Sequence, residues 1–269
     1  MLKDITIGQY YPTDSLVHRL DPRLKLIALV LYIVFIFLAS SALSLLYMAV
    51  LTFILISLTK IPVVTYLKNL KTILPIIIIT AVLNMLYVSD GNTIFSFWIV
   101  NITDGGVSRA VFMAVRIIVL ILSSAMLTYT TTPTMLTDAI ESLLSPLRHI
   151  CLGSAVHTIA MMMTIALRFI PTLIDETDKL MNAQKARGAD FDSGSILKRV
   201  KALIPILIPL LISSIRRAFD LSEAMESRCY TGDYTRTRMK QLKLTKVDYI
   251  SIPILVFSFS VVVILNYIN

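Results

Sequence analysis

The sequence predicts an all-α integral membrane protein, with about five transmembrane helices and a cytoplasmic domain of one short and two long amphipathic helices. Three observations predict it. Of 269 residues, 56% are hydrophobic and only 16% charged, against roughly 25% charged in ordinary soluble domains. The apolar residues gather into uncharged tracts near the ~20 residues that a helix needs to cross the hydrocarbon core. The lysines and arginines fall on alternate sides of those tracts, the pattern of positive-inside topology. Together these exclude a single water-soluble domain, a disordered chain and a nucleic-acid-binding protein. The net charge of +8 rides on a chain too apolar to stay solvated outside a bilayer. Cys151 and Cys229 are too few for a disulfide scaffold, and His18, His149 and His157 are too scattered for a metal site.

The elements follow in order. Residues 1–23 are expected to form a cytoplasmic segment. Its length and its acids, Asp4, Asp14 and Asp21, set it apart from a cleavable leader, so the first span reads as an anchor despite the small residues Ala39-Ser40-Ser41-Ala42. No charge occurs between Leu26 and Thr59, which is too long a run for one crossing. The Ser40-Ser41 pair predicts a tight hairpin between spans over Leu24 to Ala39 and Leu43 to Leu58. A third span is predicted from Thr72 to Ser89 and a fourth from Val107 to Thr130, so that residues 24–130 hold four helices. The segment 248–269 holds the last, from Tyr249 to Ile268. Lys3, Arg19, Arg23 and Lys25 precede the first span, and Lys60, Lys68 and Lys71 separate the second from the third, which assigns both segments to the cytoplasm. The stretch from Asp90 to Asp104 has acids and no base, and its Phe95, Phe97 and Trp98 suit the opposite interface. The N-terminus is therefore expected inside and Asn269 outside.

Residues 131–247 carry sixteen of the twenty-five Lys and Arg residues together with many acids, the mark of a folded, charge-mixed domain. Thr132 as N-cap and Pro133 at the first helical position open a short amphipathic helix that runs to about Leu144, before Pro146. A second helix starts near Ser154, places Val156, Ile159, Ala160, Met163, Leu167, Ile170 and Ile174 at helical spacing, and becomes charged from Asp175 to Lys185. A third repeats the layout: Ile196 to Ile215 is apolar around Pro205 and Pro209, and Arg216 to Arg228 is mixed-charge. Either apolar half is long enough to be an ordinary span. Arg168, the two prolines and the bases between Asp175 and Lys198 predict instead two helices lying across the inner leaflet with hydrophilic ends projecting inward.

Those ends are alike. Ala186-Arg187-Gly188 closes one helix and Ser227-Arg228-Cys229 the other, each with one arginine between small residues. A single arginine there satisfies the C-terminal helix dipole, worth about 0.3–1 kcal/mol. Two on matched helices point to docking, with small flanks entering a partner's groove and the planar guanidinium forking onto a carboxylate. The thiol of Cys229 is expected to be buried in such a complex. No Gly-x-x-x-x-Gly-Lys-Ser/Thr loop is present to cradle nucleotide phosphates.

Two other classes compete. A membrane enzyme acting on lipid or prenyl substrates is motivated by Asp175, Glu176 and Asp178 near Arg168, a cluster that lacks a nucleophile with an adjacent base. A self-contained transporter needs a polar path at mid-membrane, for which Arg116 is the candidate, with Arg109 on the same helix face. For Arg116 a structural pairing with a carbonyl or a partner chain is the alternative role.

Gly8-Gln9-Tyr10 and His18-Arg19-Leu20-Asp21-Pro22-Arg23, with Arg168-Phe169-Ile170-Pro171, Ala183-Gln184-Lys185-Ala186-Arg187-Gly188 and Ala224-Met225-Glu226-Ser227-Arg228, carry a specific resemblance. Over nearly its whole length the chain resembles the transmembrane T component, the EcfT family, of energy-coupling factor vitamin transporters. The resemblance implies a non-catalytic, multi-pass scaffold in the cell membrane that joins two cytoplasmic ABC-type ATPases to an exchangeable S component that binds the vitamin. It implies that ATP and Mg are used by the ATPases and that this chain binds no cofactor. Ala186, Arg187, Gly188, Ser227, Arg228 and Cys229 would then dock on the ATPases. On the same reading Met161, Met162 and Met163, whose flexible thioethers suit more than one partner, and Pro205 and Pro209 are candidate contacts to the S component. The second motif departs from the family's usual alanine and glycine around the arginine, having Ser227 and Cys229.

Overall fold

A computed structural model describes residues 10–87, 92–97, 100–145, 153–189, 191, 195–230 and 242–268. Among the described residues the regular structure is helical apart from one short β-hairpin, and the chain divides into two bodies, one built on the helices before residue 136 with the last helix, the other on the two long helices between. Among the described residues six helices are long and apolar enough to cross a membrane.

In the first body, α1 (Pro22–Leu38) begins at Asp21, whose carboxylate accepts the Arg23 N–H at 2.8 Å, with Pro22 in the first turn. The chain turns at Ala39 to Ser41, and Ser41 caps α2 (Ala42–Thr59) by accepting the Leu43 N–H at 3.3 Å. This is the hairpin that the Ser40-Ser41 pair predicts. Lys60, at φ 57°, ends α2 in the left-handed region. The third helix differs from the reading of charge. α3 (Val63–Tyr87) starts well before Thr72, so Lys68 and Lys71 lie inside the helix and not in a connection. Both are exposed, and their long stems can cover apolar surface while the ammonium groups reach water.

The stretch expected as an external loop contains strands β1 (Thr93–Phe97) and β2 (Val100–Thr103), paired antiparallel with Thr93 opposite Thr103. Its β-branched and aromatic residues favour a pleated backbone. Trp98 lies outside the described residues. Thr103 then caps α4 (Asp104–Thr130), its hydroxyl accepting the Gly106 N–H at 3.1 Å.

Hydrogen bonds fix the directions of the helices. Lys25 Nζ of α1 donates to the Thr130 carbonyl at the end of α4 at 3.0 Å, and Arg116 of α4 donates to the Ala39 carbonyl just after α1. α4 is therefore antiparallel to α1. The last helix, α8 (Lys246–Ile268), is parallel to it. Asp248 accepts the Asp21 N–H at 2.8 Å and Asn266 Nδ2 donates to the Leu38 carbonyl at 3.0 Å, so α8 clamps both ends of α1. The chain thus leaves this bundle after α4 and re-enters at α8 on one face, and α8 ends on the other.

Helices in lipid gain nothing from hydrophobicity at their mutual contacts, so close approach and hydrogen bonds must hold them. The buried hydroxyls show how. Ser44, Thr52, Ser123, Thr130 and Ser258 are small and buried, and several turn back onto their own helix, as in Thr52 to the Met48 carbonyl at 2.8 Å and Ser123 to the Leu120 carbonyl at 2.8 Å. Between them pack Tyr32, Ile36, Met48, Val119 and Val262, with Phe35 and Phe259 stacked at 4.3 Å. A second cluster joins Ile56, Tyr66, Ala125 and Tyr129. Before α1, His18 is held by Ser15 Oγ at 2.7 Å and the Tyr11 carbonyl at 3.1 Å. Burial, helped by the nearby Lys25 charge, keeps its pKa below the ordinary 6.5 against the pull of the Tyr11 carbonyl.

Candidate functional site

The second body carries the residues that the sequence singles out. α5 (Pro133–Leu144), whose later part belongs here, is capped as expected, Thr132 Oγ1 accepting the Met135 N–H at 3.3 Å. Its buried Glu141 pairs with His157 Nδ1 at 3.2 Å. His157 lies near the start of α6 (Gly153–Ala186), which is followed by α7 (Ile196–Glu226).

Two contacts set the register of α6 on α7. Arg217 donates to Glu176 at 2.9 Å and to Thr172 Oγ1 at 2.9 Å, with its guanidinium 5.9 Å from the Phe169 ring centre. Further along, the Tyr230 hydroxyl donates to Met161 Sδ. Position increases along one helix as it decreases along the other, so the pair is antiparallel.

Both helices end in the same hydrogen-bond pattern. In the first, the amides of Arg187, Gly188 and Ala189 donate to Gln184, Lys185 and Gln184 carbonyls, each at 3.0 Å. In the second, the amides of Arg228, Cys229 and Tyr230 donate to Met225, Glu226 and Met225 carbonyls at 3.2, 2.8 and 3.0 Å. These are two Schellman ends, in which the residue after the arginine turns left-handed and the next amide reaches back five residues. Gly188 has φ 85° and Cys229 φ 55°. The carbonyls are satisfied by backbone, so the arginine side chains are released from that duty. Both are exposed and neither has a side-chain partner among the described residues. The Cys229 thiol is exposed, and Cys151 lies outside the described residues. Beside the second tip is a shallow groove of about 280 Å³ lined by Leu221, Ser222, Met225, Glu226 and Tyr230.

The structure places the predicted residues at two locations. Ala186, Arg187 and Gly188 sit at one end of the antiparallel pair, toward Pro205 and Pro209. Ser227, Arg228 and Cys229 sit at the other, toward Met161, Met162 and Met163. Met162 and Met163 are exposed while Met161 is occupied by Tyr230. Of the acids weighed for lipid chemistry, Glu176 is taken up by Arg217. Arg116 belongs to the other body, where it caps the orphan carbonyl of Ala39 and lies 4.7 Å from the Phe112 ring centre. It takes the pairing role rather than standing open in a path. The Arg217–Glu176 bridge has no local spacing signal, because its members lie 41 residues apart.

Comparison with known proteins accords with this anatomy. Residues 13–240 match the family described as cobalt transport protein, CbiQ. The energy-coupling factor transporter transmembrane protein EcfT of Ruminiclostridium cellulolyticum is 49% identical over 268 residues, covering 100% of this chain and 99% of that protein. Its counterpart from Clostridium kluyveri is 49% identical with 93% of each chain covered, and that from Bacillus subtilis is 44% identical over 92% of this chain and 93% of its own. Similarity of this depth over nearly the whole chain makes it a member of the family of energy-coupling factor transporter transmembrane proteins.

Proposed function

We propose that the chain is the non-catalytic coupling subunit of an ATP-driven importer of a vitamin or similar micronutrient. Two ABC-type ATPases use ATP and Mg in the cytoplasm, and an exchangeable membrane S component holds the substrate. This chain joins them, binding no cofactor of its own. Residues 24–130 and 248–269 lie in the cell membrane with the N-terminus inside and the C-terminus outside, and 131–247 form the coupling domain. The observation that carries the reading is the pair of Schellman ends. Identical backbone turns present Arg187 and Arg228, exposed, at opposite ends of one antiparallel helix pair. That is the geometry needed to engage one partner at each end. The membrane face of α6 and α7 is left for the S component, with Met162, Met163, Pro205 and Pro209 exposed, and Met161 beside them.

The test is vitamin uptake and ATPase co-purification for Arg187→Glu, Arg228→Glu and the double variant, with Arg199→Glu as a control. Setting a like charge into a carboxylate-bearing groove costs roughly 2–5 kcal/mol per site. Each single change is expected to weaken assembly or uncouple hydrolysis from uptake while the chain stays in the membrane, and the double change to abolish uptake. Lysine should rescue only partly, since it cannot fork. Near-normal uptake in the double variant would refute the docking.

A further inference from the structure

The bridge from Arg217 to Glu176 occupies a special position. Glu176 stands eleven residues before Arg187 and Arg217 stands eleven residues before Arg228. Superposing the two helices on their arginine ends therefore places Glu176 and Arg217 at the same position, one acid and one base. The neighbours follow suit: Thr172 falls on Ser213, Ile174 on Ile215, Leu180 on Leu221 and Ala183 on Ala224. Since the helices run antiparallel, a contact between equivalent positions lies on an approximate two-fold axis relating the two arms. Each arm then extends about 17 Å from the bridge to its arginine, in opposite directions.

The arms are also built to be stiff. The helical prolines, Pro171, Pro205 and Pro209, all precede the bridge, and neither arm contains proline or glycine between the bridge and the last helical residue. Bends are thus confined to the apolar halves. At the bridge itself the guanidinium is held three ways, by the Glu176 carboxylate, the Thr172 hydroxyl and the Phe169 ring. That is a planar, pre-organised fork that restricts both sliding and rotation of one helix on the other.

We propose that Glu176 and Arg217 are positioning residues at the pivot of the coupling domain, holding the two arginine tips at equal reach and in fixed mutual register so that two ATPases can act on them as a matched pair. This rests on the docking reading of Arg187 and Arg228. The pivot touches neither ATPase groove in this account, so its loss changes where the tips stand and leaves their chemistry intact.

The experiment uses the full chain assembled with its ATPases and S component in liposomes. Spin labels are placed at Ala183→Cys and Ala224→Cys, both exposed, in a Cys151→Ser, Cys229→Gly background used for the distance alone, where pulsed electron resonance reads the separation of the arms. Uptake is read in the chain with its native cysteines. Glu176→Arg and Arg217→Glu are made singly and together. Each single reversal is expected to broaden the distance distribution and reduce uptake by about tenfold or more, because two like charges then face each other in a half-buried contact. The double exchange restores opposite charges and is expected to recover a narrow distribution and uptake to within about threefold of the parent, the sign of a direct pairwise coupling. Single reversals that leave the distribution and uptake at parental values would overturn the proposal, as would a double exchange no better than the worse single variant. The distance is read also on the full chain without its ATPases, where no docking groove holds the tips. If Arg187→Glu with Arg228→Glu leaves uptake normal, docking fails by itself. If that pair abolishes uptake while the bridge variants change nothing, the pivot fails by itself.

Discussion

Cys229 holds a backbone conformation, φ 55°, that its equivalent in the first tip leaves to Gly188. An L-residue in the left-handed region bears a penalty of about 1–2 kcal/mol that glycine escapes. Cys229→Gly is therefore expected to tighten the last turn of α7 by about 1 kcal/mol, and Gly188→Ala to loosen that of α6 by about 1–2 kcal/mol. A Cβ at residue 188 meets nothing within 4 Å, so the loss is purely conformational. Amide hydrogen exchange over 184–189 and 225–230 reads both; unchanged protection in Gly188→Ala would remove the left-handed end as the reason for the motif's third residue. His18 gives a second expectation at this scale. Its folded pKa lies below 6.5 mainly because burial disfavours the imidazolium. The unfolded chain binds the proton more readily, so the contribution is fully present above pH 6.5 and is lost as pH falls below it. Exchange protection of residues 10–20 should drop between pH 7.5 and 5.5, and His18→Gln should flatten that drop.

Single elements differ in how plainly they were written. Some caps and breaks were legible: the Ser40-Ser41 turn and Thr132 with Pro133 stand where local chemistry puts them, whereas the Asp21 cap with Pro22, which starts α1 two residues before Leu24, was passed over in a reading for charge. The two long helices and both of their ends were legible, because a small residue, an arginine and a small residue after a polar helical run describe a helix terminus directly. The start of α3 was not legible, since Lys68 and Lys71 resemble a connection until their stems are credited with covering apolar surface. The β1–β2 hairpin was hidden by reading that stretch for charge, although its Thr-Ile-Phe-Ser-Phe alternation favours a strand. Tertiary pairs such as Arg217 with Glu176 carry no periodic trace at all. Arg116 shows what such a pair does for an element. It supplies a cation at the C-terminal end of α1 and a donor for a carbonyl that no helix amide can reach. Arg116→Met is expected to destabilise the bundle by about 1–3 kcal/mol, read as a lower Tm in detergent. A Tm within experimental scatter of the parent would show that the carbonyl finds another donor.

For the whole molecule the testable matter is sidedness. The bundle emits and readmits the chain on one face, so the segment between makes either no crossing or an even number. α6 and α7 are both long and apolar enough to cross, and the inner-leaflet arrangement proposed from loop charge needs neither to do so. In a background without Cys151 and Cys229, a cysteine at Gly91 should label with an impermeant reagent from outside and one at Lys68 should not. Strong outside labelling at Ser193 would place the connection between the long helices across the membrane and sink the inner-leaflet arrangement. The parallel clasp between the first and last helices has one further consequence, for biogenesis. The Asp21 amide at the head of α1 is satisfied by Asp248, 227 residues later. At the ~5–20 residues per second of translation, α1 enters the bilayer about 10–45 s before that carboxylate exists. The newborn helix must keep its head amide at the wet interface for that time, and a ribosome that stops short of α8 leaves a set of helices that cannot close.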